Sequence, residues 1–131
     1  MHSSVPTFYI ALLSALTPMT AATCSLKNLQ DAASAYISSV AAGAPSAAIA
    51  KASYKENNKD ANITTGLLST PMKIDHNKTL FDTTLCASYS ELIITDPKAP
   101  YVIGTQLHLD NNGSVALVDT IWTSTGDWLF K

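Results

Sequence analysis

The sequence predicts an α+β domain in which N-terminal helices pack on a curved antiparallel sheet. Three observations carry this. Residues 26–40 repeat apolar side chains at helical spacing. The chain after Asn62 shifts to short runs with the period of strands. Asn112-Gly113 sits between two of those runs and is the strongest short signal for a hairpin. The order helices first, strands after, places helices on one side of the sheet.

Each element follows from local chemistry. Leu26, Leu29, Ala33, Tyr36, Ile37 and Val40 mark one helical face. Ser25 is the expected N-cap, and Gly43 followed by Pro45 ends the helix. The Ala-rich stretch Ser46–Tyr54 is expected to form a second short helix, folded back on the first. Lys55–Asp60 is polar and is expected to be a loop. Met72–Asp75 and Thr79–Thr83 look like short strands. Cys86–Thr95 is a longer strand, stopped by Asp96-Pro97. Tyr101–Leu109 and Ser114–Ser124 are the clearest strands.

A two-residue loop at Asn112-Gly113 sets the hairpin register. Leu109 then faces Ala116, Leu107 faces Val118, Thr105 faces Thr120 and Ile103 faces Trp122. That face is expected to be core or pocket wall, so Thr105, Thr120 and Trp122 are the candidate substrate-binding residues. The other face pairs His108 with Leu117 and Gln106 with Asp119, with His108 diagonal to Asp119. A slip of one residue would exchange the faces.

Composition narrows the function. The chain has 131 residues, a net charge of −2 and no Arg among its eight basic residues. It lacks the charge and the guanidinium forks of a nucleic-acid binder. Two Cys and two His beyond His2 cannot complete a four-ligand zinc site without carboxylates. The length suits one domain.

Residues 1–23 read as a signal peptide. Phe8–Leu16 is an uncharged run of nine residues, suited to an h-region and too short for a membrane span. Small residues follow, and cleavage is expected near Ala22 or Thr23, leaving residues 24–131 as one domain. No Lys or Arg precedes the run, which departs from the usual pattern. No other stretch could span a bilayer. A secreted chain, or one in the secretory lumen, gives Cys24 and Cys86 an oxidising compartment, and an even count there predicts a disulfide. The loop it closes is worth about 4 kcal/mol in the chain-entropy model. Three sequons, at Asn62, Asn77 and Asn112, are candidate glycosylation sites.

Candidate chemistry is sparse. Asp119 beside His108 could move a proton, and Gln106 lies with them. Tyr54 could donate to a developing oxyanion, with Glu56 close in sequence. Asp75-His76 reads more simply as a polar turn. Thr125-Gly126-Asp127-Trp128 reads as structure, with Asp127 capping a turn. The sequence contains no P-loop, dinucleotide fingerprint, nucleophile elbow or zinc-protease motif.

Several phrases together resemble a family of secreted fungal domains. They are Cys24 near a helix start, Tyr54-Lys55-Glu56-Asn57, Asp82-Thr83 before Cys86, Tyr101-Val102-Ile103-Gly104-Thr105 and Thr125-Gly126-Asp127-Trp128-Leu129-Phe130. That family is similar to the cone-shaped ketosteroid isomerase and nuclear-transport-factor-like (NTF2-like) fold. Some members resemble the dimerising cyclases of fungal polyketide clusters, which join maleic-anhydride monomers. The resemblance implies a cofactor-independent cyclase or isomerase acting on a small apolar molecule. Asp119 or His108 would be the base and Tyr54 the oxyanion donor. It also implies further chain beyond the Asp-Trp-Leu-Phe phrase. An end at Lys131 is expected to leave the cone open at one edge and to invite a homodimer. The alternative is a non-catalytic secreted protein, ligand-carrying or effector-like, on the same fold.

Overall fold

The computed structural model describes residues 24–127. The expected signal peptide, 1–23, and the Trp-Leu-Phe-Lys end lie outside the described residues. One helix packs against one face of an open six-stranded sheet, so the class is α+β. The helix, α1, spans Leu26–Ala42, and the strands are β1 (Ser53–Glu56), β2 (Lys59–Asp60), β3 (His76–Asp82), β4 (Ala87–Ile94), β5 (Tyr101–Leu109) and β6 (Val115–Ser124). Their spatial order is β2-β1-β6-β5-β4-β3. All pairings are antiparallel except β1 with β6.

Helix α1 begins and ends where its caps dictate. Ser25 accepts a hydrogen bond from the Asn28 amide. At the other end Gly43 takes φ 67°. Its amide and that of Ala44 reach back to Val40 and Ser39, which is the Schellman pattern. A side chain at Gly43 would also strike Pro71, so glycine is required twice over. Leu29, Ala33, Tyr36 and Val40 are buried as the helical period predicts.

The Ala-rich stretch corrects one expectation. Ser46–Tyr54 forms no second helix. It makes turns, with Ile49 and Ala50 both donating to the Ser46 carbonyl, and then enters β1. A helix this short is marginal alone. Burial decides the outcome, because Ile49 is fully buried and Tyr54 sits in the core beside Val118. Lys55–Asp60 is likewise not a loop throughout, since it completes β1 and pairs it with β2. Asn57 and Asn58 turn between them with positive φ, which Asn tolerates. Met72–Asp75 is not a strand. Its backbone is tied at the Met72 amide to Val40 and at the Asp75 amide to Ile93. The Thr79–Thr83 strand is displaced to β3, which pairs with β4 along its whole length.

The β5–β6 hairpin has the predicted register over most of its length. Ile103 faces Trp122, Thr105 faces Thr120, Leu107 faces Val118, and Gln106 faces Asp119. Near the turn a bulge shifts it, and Leu109 pairs with Val115 rather than Ala116. The extra residue turns Val115 inward and leaves Ala116 exposed.

The core lies between α1 and the sheet, built on Leu29, Tyr36, Ile49, Leu68, Leu92, Ile103, Leu107 and Val118. A line of hydroxyls crosses it. Tyr36 Oη lies 2.5 Å from Thr105 Oγ1, which lies 2.8 Å from Thr120 Oγ1. Burial pushes the Tyr36 phenol above its ordinary value, with the Thr105 bond opposing. Cys24 and Cys86 form the expected disulfide, tying the start of α1 to the β3–β4 turn. No helix among the described residues is long and apolar enough to cross a membrane. The disulfide agrees with a secreted chain.

Candidate functional site

Alternation along the strands divides the sheet into two unlike faces. The residues facing α1 are mostly buried. Among the described residues no helix lies over the opposite face, which carries large apolar side chains in the open. Val102 is 50% exposed, Ile121 55% and Tyr89 41%.

A cleft of about 330 Å³ runs across this uncovered face over β4, β5 and β6. Val102 and Ile121 are apolar walls, and Tyr89, Gln106 and Asp119 supply polar groups. Gly104 lies beneath Tyr89. A β-carbon at Gly104 would come within 2.6 Å of the Tyr89 hydroxyl, so the missing side chain lets the phenol lie across the strand. Tyr89 and Gln106 are cross-strand partners. They also border a second cleft of about 360 Å³ that contains His108, Leu80 and Leu85.

Asp119 is the chemically unusual group. Its Oδ1 is buried and accepts no hydrogen bond. Two polar neighbours stand opposite in register, Gln106 on β5 and Lys55 on β1. Neither satisfies that oxygen, and the one ion pair among the described residues is Lys27 with Asp31. Leaving a buried acceptor unmet costs roughly 1–3 kcal/mol, more when it is charged. A ligand donor entering the cleft would remove that penalty.

The expected site residues fall into two groups. Asp119, Gln106 and His108 share the uncovered face. Asp119 lines one cleft and His108 the next, with Gln106 common to both. Tyr54, Thr105, Thr120 and Trp122 lie on the α1 side. Tyr54 donates 2.7 Å to Glu56 Oε1, which also accepts from the Leu67 amide. Burial first, then the Glu56 bond, raises the Tyr54 phenol well above its ordinary value. Its proton is committed to Glu56, and the sheet separates it from Asp119. Thr105 and Thr120 are bonded to one another in the core. Trp122 stacks edge-on against Tyr101. Asp75 accepts from both the amide and the hydroxyl of Thr95, which makes it a fastener rather than a partner of His76. Asp127 accepts from the Ser124 amide, as a turn cap should.

Tyr89, Val102, Gly104 and Ile121 line the cleft, although none of them is a candidate site residue from the sequence. Gly104 was the available signal, since glycine inside a strand marks a bulge or a close approach. A roomier depression of about 500 Å³ lies beside the start of α1, next to Asn112. None of the buried unpaired polar atoms belongs to its lining. Among the described residues no group of three or more His, Cys, Asp or Glu could hold a metal ion.

No family model matches the chain, and no curated protein or solved structure matches it, so the cleft and its chemistry carry the functional argument.

Proposed function

We propose that this is a secreted binding protein whose uncovered sheet face takes a small, mostly apolar molecule bearing one hydroxyl or amine donor. The unpaired Oδ1 of Asp119 on a cleft walled by Val102 and Ile121 supports the reading. Sites for small molecules are concave and largely apolar, with a few placed polar groups. The donor would bond Asp119, and the ring or chain would lie along Val102, Ile121 and the Tyr89 phenol. The Cys24–Cys86 bridge supports the secretory setting.

The test uses phenol and anisole, which differ in the donor hydrogen, titrated into isotope-labelled protein. Phenol should shift the Gly104, Gln106, Asp119 and Ile121 amides and bind at least tenfold tighter than anisole. Equal binding, or shifts elsewhere, would count against it.

A second reading keeps the cyclase or isomerase that the resemblance to secreted fungal NTF2-like domains implies, including the joining of maleic-anhydride monomers. The same unpaired carboxylate oxygen favours it. Asp119 would take a proton from carbon next to a carbonyl, and the electron pair would move onto the carbonyl oxygen. Tyr89 and Gln106 are the donors on that face, in place of Tyr54. Deuterium uptake from heavy water into a cyclic ketone or anhydride, lost in Asp119→Asn, would support it. Unchanged uptake in that variant would sink it.

A further inference from the structure

We infer that Asn77 carries an N-linked glycan that shields the long open edge of the sheet. The inference rests on the secretory part of the reading above. Strand β3 is that edge. An edge strand presents alternate unpaired N–H and C=O groups to any passing chain. The opposite edge, β2, has only two residues and offers little to pair with. Strand β3 has seven residues, six of them exposed. It is regularly paired with β4 throughout, with neither a bulge nor a proline to spoil a new partner.

Its side chains make the exposure worse. Leu80 is 58% exposed and Phe81 is also open. Asn77-Lys78-Thr79 lies at the start of the same strand. Asn77 is exposed and, by alternation, shares a face with Thr79 and Phe81. A sugar there sits about 7 Å along the strand from Thr79 and about 13 Å from Phe81, so a branched glycan covers the edge. The other two sequons do not have this position. Asn62 lies in a turn, where its side chain accepts from the Thr64 amide and hydroxyl. Asn112 lies in the β5–β6 turn. Neither is on a strand edge.

The experiment secretes the full chain from a eukaryotic host. Enzymatic deglycosylation in heavy-oxygen water then marks each occupied asparagine by mass. Asn77 should be marked in most secreted molecules. Asn77→Gln should lower secreted monomer severalfold and elute as larger species. Adding Leu80→Lys, which places a charge on the same edge, should restore the monomer. Removing the sugar from already folded protein should also produce association, which separates shielding from a folding defect. An oxidised, lumenal chain bare at Asn77 overturns this inference alone, as does an Asn77→Gln protein that stays monomeric at wild-type yield. A chain found in the cytosol with Cys24 and Cys86 reduced overturns the secretory reading with it.

Discussion

Gln106 and Asp119 stand directly opposite one another across β5 and β6 on the uncovered face of the sheet, yet the Oδ1 of Asp119 is buried without a hydrogen bond. One strand position away, on the covered face, Thr105 and Thr120 are bonded to each other at 2.8 Å. The two adjacent pairs serve opposite ends. The inner pair is satisfied and holds the core. The outer pair leaves a buried acceptor unmet.

The cleft depends on the missing side chain of Gly104. Gly104→Ala would push the Tyr89 hydroxyl, 2.6 Å from the new β-carbon, out of its place over the strand. The displaced atom is the end of a mobile side chain, so stability should change by less than about 1 kcal/mol. Phenol binding should fall at least tenfold. Parallel urea unfolding and titration separate the two effects.

The hydroxyl line in the core is structural. Thr105→Val keeps the shape and removes the group that joins Tyr36 to Thr120. Two buried hydroxyls lose a partner, and unfolding free energy should drop by about 1–3 kcal/mol. Chemical denaturation measures the loss, and phenol binding to the folded variant should persist.

Two tyrosines should resist alkali. Burial raises both Tyr36 and Tyr54 above the ordinary 10.0. The unfolded chain therefore gives up these protons first. The stability they contribute is complete below that value and is lost as pH rises beyond it. Spectrophotometric titration of the four tyrosines of residues 24–131 should show two that ionise only as the protein unfolds. Smooth ionisation of all four in the folded state would contradict the packing described.

Acid should act through Asp75. Bonds from the Thr95 amide and hydroxyl hold this carboxylate below its ordinary 3.8. Its contribution is present above that value and fades as pH falls through the lower, folded value. Asp75→Asn should lower stability at neutral pH and flatten the acid side of the curve, so that the two proteins converge at low pH. Parallel curves for the two proteins would show that Asp75 has no such part.

Much of this architecture is legible in the sequence. The α1 face, its caps and the central register follow from periods and turn chemistry, which are local. The Cys24–Cys86 bridge follows from count and compartment. The parallel pairing of β1 with β6 was hidden, because it joins residues more than sixty positions apart and an Ala-rich lead-in looks helical. The bulge that swaps Val115 for Ala116 was hidden too, since Asn-Gly implies a regular two-residue loop. Asp119 was legible as a candidate through its pairing with Gln106. Its isolation from Tyr54 was not, because that depends on which sheet face β1 presents.

Substituting Asp119 tests the central claim most directly. Asp119→Ala removes an unmet buried acceptor, so stability should hold or rise by about 1 kcal/mol. The preference for phenol over anisole should vanish in the same variant. A marked loss of stability, or an undiminished preference for phenol, would contradict the account.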